Sequence, residues 1–513
     1  MTDMTEKNQT DRRTLLKLGA GAVAIGATGG IGRLEAASAA SGAPAPSAAS
    51  RNGSRSGKPK NIIFMVSDGM STGVPTLAEA FSQLTRNRGT AWHRLAGEDR
   101  TVHGLIDMAA LDSLVTDSAA AASMWATGVP IRNGMINMHE DGRELMPIGR
   151  LARQTGRGLG LVTTTRVTHA TPAGFAAQVP SRGLENTIAE QYVGEVDILL
   201  GGGRRHFVNR RGVDVADLTA LYWQQGYVFA GSRDEMRKLP TPDRIVGLFD
   251  DGHLPYSIDH MNDPELTRKV PTLAEMTEVA LRSLERRRDG FLLQVEGGRV
   301  DHAAHGNDAA ALLHDQIAFD DAIEVVMKFV ERHPDTLVVM TTDHGNANPG
   351  LNGMGSRYRA STESFARLAG VKESFGGLFD RINRAMEQAG DELDTGLMQR
   401  VIRSATGIEL NEREADQFRR AFYNKPYEEA NNQHANLRGL LGQLLGNHTG
   451  VQFTGITHTA DWVLSMAVGP GAEHFHGMMT APGIYDRLTD LMNIRHRNRP
   501  DRSEGGRRRR GVR

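Results

Sequence analysis

The 513-residue chain contains no cysteine, and this absence removes whole classes of structure and chemistry. A disulfide framework, a thiol nucleophile and a thiolate metal site are all excluded, so any metal must be held by oxygen and nitrogen ligands. Charge of one sign is also missing, because 60 Lys and Arg nearly balance 61 Asp and Glu. This balance gives no sign of a nucleic-acid partner, and we expect none.

Long hydrophobic runs are absent too, apart from a weak one near the N-terminus. Arg12 and Arg13 precede a Gly/Ala-rich run from Leu18 to about Ile31, and an A-x-A cleavage site follows at 37–39. The run is too short and too rich in glycine for a stable membrane span. We interpret residues 1–40 as a twin-arginine signal peptide, which predicts a periplasmic or secreted protein with no stable membrane anchor.

Apolar runs and helical patterns alternate after a linker rich in Ala, Ser, Gly and Pro at 41–60. The alternation predicts an α/β fold, a three-layer sandwich whose central, mostly parallel sheet is flanked by helices, beginning at Asn61. The predicted strands and the clearest helices are Ile62–Val66, Leu159–Thr163, Val196–Leu200, Phe291–Val295, Leu337–Thr341, Thr272–Arg286 and Ala309–Arg332.

The pattern changes at 351–451, a polar stretch that we interpret as a helical insertion between two parts of the core, 61–350 and 452–490. The helices predicted there are Leu397–Ile402, Glu412–Tyr423 and Asn432–Leu445, and the α/β pattern resumes near Val463–Val468. An Arg-rich tail at 491–513 is typical of a disordered, solvated segment.

The ends of four predicted strands carry oxygen or imidazole donors. Glu296 ends one run and is followed by Asp301 and His305, which would share one face of a helical turn, as either a metal-ligand pair or an ordinary salt bridge. Because ligands bind beyond the carboxyl ends of parallel strands, donors at several ends favour a multi-metal site. The other donors are Asp68, His169, Thr171, Asp343 and His344.

Ser118 opens an Ala-rich helical pattern between the first two runs. One interpretation is that Ser118 is an N-cap. The other is that it is a nucleophile, if it lies beside a metal at a helix N-terminus that stabilises an anion.

Taken together, the motifs resemble the alkaline phosphatase family. They occur in the family's order from residue 61 to about 480, and the ordered set is much more specific than any single motif. The matching segments are Asp68-Gly-Met-Ser71, Thr116-Asp-Ser-Ala-Ala120, His169-Ala-Thr-Pro-Ala173, Leu200-Gly-Gly-Gly-Arg204, Glu296-Gly-Gly-Arg-Val-Asp-His-Ala-Ala-His305, Thr342-Asp-His344 and Thr457-His-Thr459.

The resemblance implies hydrolysis of small-molecule phosphate monoesters through a phosphoserine, at a site with two Zn²⁺ and one Mg²⁺. Members of that family commonly form homodimers. The family's pattern assigns Asp301, His305 and His458 to the first zinc. It assigns Asp68, Asp343 and His344 to the second, with Ser118 bound there during attack. It assigns the magnesium to Asp68, Thr171 and Glu296, and the phosphate clamp to Arg182.

Two positions depart from many bacterial relatives. His169 stands where they have Asp and His302 where they have Lys, which leaves open whether the third metal is Mg²⁺ or Zn²⁺. Both histidines can instead orient water and phosphate without touching metal. Other histidines receive structural interpretations: His474 and His476 as alternating strand residues, His434 and His448 as surface residues.

Two other functions stay open at this point. A phosphodiesterase or sulfatase could use the same two-metal core, although Ser118, Arg182 and a third metal favour monoesters. A non-catalytic exported zinc-binding or adhesion protein would need neither the nucleophile nor the clamp.

Overall fold

A ten-stranded sheet runs through the chain, which is described by a computed structural model over residues 57–213, 217–355, 357–427, 431–434 and 436–498. The strand order is β14-β2-β13-β8-β1-β7-β3-β4-β6-β5, and all neighbours are parallel except β13 with β2 and β8. The strands are β1 Asn61–Val66, β2 Val102–Asp107, β3 Gly158–Arg166, β4 Ile198–Gly202, β5 Val228–Ala230, β6 Ile245–Leu248, β7 Phe291–Glu296, β8 Thr336–Thr341, β13 Val463–Val468 and β14 Gly477–Thr480. The predicted α/β sandwich is confirmed.

Both faces of the sheet are covered, as the apolar runs require. Along β1, Ile62, Phe64 and Val66 pack into one hydrophobic cluster, whereas Ile63 and Met65 pack into the cluster on the other face. This alternation follows from the two-residue period of a strand, and it explains why the strand sequence is apolar without a polar face. Residues along β1 are therefore almost completely excluded from water.

Helices form the two outer layers. The described helices are Val74–Arg86, Ala91–Ala96, Ser118–Thr127, Ile148–Gln154, Ala170–Ala176, Glu185–Gln191, Thr219–Gln224, Arg233–Lys238, Ser257–Asn262, Pro264–Lys269, Leu273–Leu284, Arg299–His305, Ala309–Arg332, Ala360–Ala366, Phe375–Ala389, Thr395–Thr406, Glu412–Phe422, Leu437–Thr449 and Ala481–Leu491. No helix in the described ranges is both long enough and apolar enough to cross a bilayer. The signal peptide predicted at 1–40 lies outside the described residues.

The 351–451 stretch leaves and rejoins the core at a two-stranded ribbon. Its strands, β10 (Gly350–Leu351) and β11 (Val451–Gln452), pair antiparallel. A second ribbon joins β9 (Gly345–Asn346) to β12 (His458–Thr459). Helices between β10 and β11 share a third hydrophobic cluster that is separate from the two clusters of the sheet. The boundaries of the insertion stay a prediction.

Some local predictions were wrong. The strand expected at Val196–Leu200 runs over 198–202, because Val196 directly follows the turn at 192–195 and its amide donates back to the Tyr192 carbonyl. The helix expected at Asn432–Leu445 begins only at Leu437, where Asn436 caps it by accepting from the Gly439 amide, and 432–434 form a short 3-10 turn.

The predicted tail also begins later than expected. The Asn498 side chain donates to the carbonyls of Thr127 and Met146, and Ile494 is buried, so the chain packs on the core at least to 498. Residues 499–513 lie outside the described ranges.

The structural interpretations of two histidine pairs also need correction. His474 belongs to a 3-10 turn, Ala472–Phe475, and β14 begins only after His476. His434 is buried and bonds to the Phe453 carbonyl at 3.0 Å, while half-buried His448 bonds to a carboxylate of the insertion.

Candidate active site

Four adjacent strands, β8, β1, β7 and β3, deliver the predicted donors to one edge of the sheet. Asp68 lies two residues beyond β1, Glu296 is the last residue of β7, and Asp343 lies two residues beyond β8. All three carboxylates are completely buried. The parallel register explains the convergence, since Val66 lies beside both Glu296 and Thr341.

Asp68, Asp343 and His344 form one compact group of possible metal ligands. His344 Nε2 lies 3.1 Å from Asp343 Oδ2 and 3.6 Å from Asp68 Oδ1. The loop between β1 and the next helix is locked to the β8 loop, because the Gly69 amide donates to Asp343 Oδ1 at 3.1 Å. These three residues are the set that the family resemblance assigns to one zinc.

A second group surrounds Asp301. His305 Nε2 lies 3.4 Å from Asp301 Oδ2 and 3.0 Å from His458 Nε2, and the His458 ring stacks on His344 at 3.6 Å between centroids. The Nδ1 atoms of His305 and His458 each contact a backbone carbonyl, of Ile456 and Thr116. Those carbonyls orient both rings so that Nε2 faces Asp301, an arrangement typical of metal-binding histidines.

His458 reaches this group only through tertiary structure. Residues 457–459 return from the far side of the insertion, and β12 pairs with β9 so that His458 lies opposite Asn346. Asn346 in turn donates to Asp301 Oδ1 at 2.7 Å. The nominal salt bridge between Asp301 and His305 exists, but it is part of a larger cluster of donors rather than a solvated pair.

The third group lies on the β3 side and combines Asp68, Glu296 and His169. Glu296 Oε2 accepts from Thr163 Oγ1 at 2.5 Å, whereas Glu296 Oε1 has no protein partner. His169 Nδ1 and Thr171 Oγ1 are also buried without a partner. The structure therefore places His169 among the possible ligands, beside the Thr171 that sequence resemblance selected.

The electrostatics of the cluster show carboxylates that repel one another. Burial, followed by the charges of Asp343 and Asp301, raises the pKa of Asp68 well above its ordinary value. Burial also raises the pKa of Glu296 to about 7, despite the hydrogen bond from Thr163. These groups are unfavourable as neighbouring anions in a dry site, which is the environment that a bound cation would relieve.

In the Asp301 group the carboxylate is stabilised as an anion, because imidazoles rather than carboxylates surround it. Burial alone would raise the pKa of Asp301, but the charges of His305 and His458 outweigh it and hold that pKa well below its ordinary value. For His305, burial lowers the pKa and the Asp301 charge overcomes this, which raises the pKa to about 9.

Ser118 and Arg182 face the same cluster. The helix N-cap is Asp117, whose carboxylate accepts from the Ala120 amide, so the N-cap interpretation of Ser118 is wrong. Ser118 is instead the first helical residue, and its Oγ lies 3.2 Å from His344 Nε2. Arg182 Nη1 donates to Asp117 Oδ2 at 2.9 Å, and its Nη2 lies 3.0 Å from His169 Nε2.

Two residues near the site were not selected from the sequence. Asp117 orients Arg182 as well as capping the helix, and its position directly before Ser118 was the available signal. His253 comes from the loop after β6, and its ring lies 4.4 Å from that of His302 and 5.4 Å from that of His169. No sequence motif surrounds His253, so only the fold reveals it.

The donors fit a set of metal ions. Both carboxylate oxygens of Asp68 are buried without a hydrogen-bond partner. Three further oxygen atoms are also buried without one: Asp343 Oδ2, Glu296 Oε1 and Thr171 Oγ1. Buried polar atoms are almost always satisfied in native proteins, so a cluster of unsatisfied carboxylate oxygens indicates cations. Three sets bring possible ligand atoms together and combine oxygen with imidazole, which suits zinc and, where oxygen dominates, magnesium. They are Asp301 with His344 and His458, Asp68 with Asp343 and His344, and Asp68 with His169 and Glu296.

Known proteins share both the sequence and the fold. The alkaline phosphatase family model matches residues 59–493. Alkaline phosphatase 3 of Bacillus subtilis is 33% identical over 306 residues, 58% of this chain and 63% of that protein. The repressible alkaline phosphatase of Saccharomyces cerevisiae is 34% identical over 326 residues, 57% of this chain and 56% of that protein. The aligned part thus spans less than two thirds of these relatives.

Solved structures match over a longer span. The Thermus thermophilus alkaline phosphatase is 32% identical with a TM-score of 0.78, covering 86% of this chain and 93% of that one. The cold-active alkaline phosphatase of Shewanella sp. is 27% identical with a TM-score of 0.69, covering 84% and 99%. The family model, the solved relatives and the cluster at the sheet edge agree: this chain belongs to the alkaline phosphatase family.

Proposed function

We propose that this protein hydrolyses phosphate monoesters to an alcohol and inorganic phosphate through a phosphoserine at Ser118. The observation that carries the proposal is the position of the Ser118 hydroxyl, 3.2 Å from His344 at the edge of a buried, unsatisfied carboxylate–imidazole cluster. A storage or adhesion protein would need the donors but not the serine or the arginine beside them.

We further propose which residues hold the metals. One Zn²⁺ would be held by Asp301, His305 and His458, whose donor atoms lie 3.0–3.7 Å apart. The other would be held by Asp68, Asp343 and His344, with Ser118 facing this set. When bound, the metals would supply Lewis acidity, lowering the pKa of an attacking hydroxyl and stabilising the negative charge of a leaving oxygen.

A third ion would lie between Asp68, Thr171 and Glu296. Mg²⁺ suits those oxygen donors, but the unpartnered His169 Nδ1 would favour Zn²⁺, because imidazole is a good zinc ligand and a poor magnesium ligand. Metal analysis of His169→Asp beside the unmodified protein, both purified with equal Zn²⁺ and excess Mg²⁺, tests this. A rise in bound Mg²⁺ for the variant supports His169 as a ligand, and an unchanged ratio contradicts it.

The chain's own residues would carry the remaining steps. Arg182 would grip two phosphate oxygens with its planar fork, and Asp117 would hold that fork in place. Ser118 Oγ would bond to phosphorus as the bond to the leaving alcohol breaks, with the helix N-terminus stabilising the phosphate charge. Water would then displace Ser118 from phosphorus, releasing inorganic phosphate.

Assays on three aryl esters at alkaline pH separate the candidate functions. We expect the phosphate monoester to be cleaved much faster than the phosphodiester or the sulfate, and chelation to abolish the activity. Ser118→Ala should lose about three orders of magnitude or more in kcat, as expected for a lost nucleophile.

The matched control is Ser123→Ala, five residues along the same helix. The Ser123 hydroxyl accepts from the Asn137 amide rather than facing the cluster, so this variant should keep its activity. Equal or faster diester cleavage, or an active Ser118→Ala protein, would contradict the proposal.

Export by the twin-arginine route and dimerisation are also proposals. Export is supported by Arg12 and Arg13, which precede an apolar run. Dimerisation is supported by the family resemblance, because members of the family commonly form dimers. Mutating Arg12 and Arg13 to Lys should stop export of the protein in cells, and light scattering on the purified protein should give twice the chain mass.

A further inference from the structure

A cavity of about 990 Å³ opens beside the Asp301 group. Its floor is the helix Arg299–His305, which presents His302 and His305 to the cavity. One wall comes from the chain around Tyr256–Leu266, and the other comes from the 351–451 stretch. The cavity therefore adjoins the proposed site on the side of His305, where a leaving group would have room.

Two arginines of the lining form no ion pair in the described part of the chain. Burial raises the pKa of three nearby carboxyl groups, and the charge of Arg299 partly opposes this rise for Asp315 and Asp259, as the charge of Arg438 does for Asp308. The Arg299 guanidinium stacks 3.7 Å from the centre of the Tyr256 ring, its Nη1 lies 2.8 Å from His302 Nδ1, and its Nε is buried without a partner. Arg438 crosses Gly306, with its Cδ 3.9 Å from where a Cβ on that glycine would lie. The Arg438 guanidinium also lies over the Phe379 ring, 5.1 Å from its centre, so aromatic contacts rather than ion pairs position both guanidinium groups.

The other charged side chains of the lining make hydrogen bonds or ion pairs within the protein, or are exposed. Arg381 is paired with Glu373 at 2.5 Å, and Asp259 accepts from Ser374 at 2.7 and 2.8 Å. Asp263 accepts from the first amides of the next helix. Lys372 and Asp380 are exposed and opposite in sign. The acidic and basic side chains of the lining are equal in number, and Arg299 and Arg438 differ from Arg381 in having no carboxylate at ion-pair distance among the described residues.

We infer that this cavity receives the leaving group of the substrate, and that Arg299 and Arg438 recognise a second anionic group on it. The inference rests on the proposed monoesterase function and names its preferred substrate class. A guanidinium that is fixed by stacking and lacks an ion-pair partner is well suited to bind a carboxylate or phosphate through paired N–H donors.

A pair of nearly isosteric substrates tests the inference. We measure kcat/KM for 4-carboxyphenyl phosphate and 4-carbamoylphenyl phosphate, which differ mainly in the second negative charge, and take their ratio. Arg438→Gln should lower this ratio about tenfold relative to the unmodified protein, as expected for one charge-assisted contact. Arg299→Gln should do the same, and a para-phosphonate substrate shows whether a doubly charged group is preferred to a carboxylate.

The matched control is Arg381→Gln, because its charge is already neutralised by Glu373 and the ratio should stay within about twofold. Unchanged ratios in Arg438→Gln and Arg299→Gln, with normal cleavage of the carbamoyl substrate, overturn this inference and leave the proposed function standing. Failure of the unmodified protein to cleave either ester contradicts both. If Arg299→Gln does not fold, Arg438→Gln decides alone, since Arg438 makes no contact with the site histidines that we describe.

Discussion

Replacing Gly69 by alanine perturbs the metal-ligand cluster through the backbone alone. Gly69 has φ +70°, and a Cβ there would lie 2.6 Å from Asp301 Oδ1 and 2.8 Å from the Asp301 Cα and Cβ. The left-handed conformation costs alanine about 1–2 kcal/mol. Carbon atoms pack at about 3.5–4.0 Å, so Asp301 must also move by about 1 Å, at a further cost of about 1–3 kcal/mol.

We therefore expect Gly69→Ala to lower the free energy of unfolding by about 2–5 kcal/mol. A shift of Asp301 by about 1 Å should also lower kcat/KM about a hundredfold, since it misaligns a group of the site. Urea unfolding of the metal-free protein gives the first quantity, and steady-state assays with metal analysis give the second.

Gly390→Ala is the matched control for this prediction. Gly390 has φ +71° but no atom within 4 Å of its Cβ position, so it isolates the backbone cost. That variant should lose only about 1–2 kcal/mol and keep its activity. If Gly69→Ala matched Gly390→Ala in both stability and activity, the close approach of the β1 loop to Asp301 would be refuted.

Three further predictions follow from individual contacts. Arg182→Lys should raise KM for phosphate esters about tenfold, because an ammonium cannot replace the planar fork that we propose as the phosphate clamp, and inhibition by inorganic phosphate should weaken in parallel. Asp197→Asn should lower the free energy of unfolding by about 2–3 kcal/mol in urea titrations, because Asp197 is fully buried and contacts Arg153 at 2.5 Å. Burial raises the pKa of Asp315 to about 7, so the folded state binds the proton more tightly than the unfolded state does and stability should fall as pH rises from about 4 to 7. Asp315→Asn should flatten that decline.

Each of these three predictions has its own control or contradicting outcome. Arg182→Lys should leave the unfolding midpoint nearly unchanged, so a large stability loss would point to a structural role instead. Asp289→Asn, near the same sheet edge as Asp197 but without an ion pair among the contacts that we describe, should be nearly neutral. A decline with pH that is equally steep in Asp315→Asn would show that another group titrates.

Much of the site could be predicted from the sequence because each donor follows a strand directly. Asp68, Glu296 and Asp343 are local to β1, β7 and β8, and a strand ends where its apolar run ends. Parallel strands place their carboxyl ends at one edge, so listing the donors after each run already predicts a cluster. The spacing of Asp301 and His305 likewise depends only on helical geometry.

Residues whose placement depends on distant chain segments were harder to assign. His253 has no motif, and it reaches the site because β6 lies two strands from β3 in the sheet. The start of the last helix of the 351–451 stretch was also misplaced. Capping by Asn436 and packing in the third cluster set this boundary, and the polar sequence pattern indicated neither.

The sequence by itself determined the fold class, the strand ends and most of the donor set, because these depend on local periodicity and on residue type. Tertiary structure alone decided that His169 lies among the possible ligands of a third group, that Asp117 holds Arg182, and that two arginines without an ion pair line the same cavity as His305. Those facts depend on distances between segments far apart in the chain. Periodicity carries no information about such distances, since they are set by how the layers and the insertion pack.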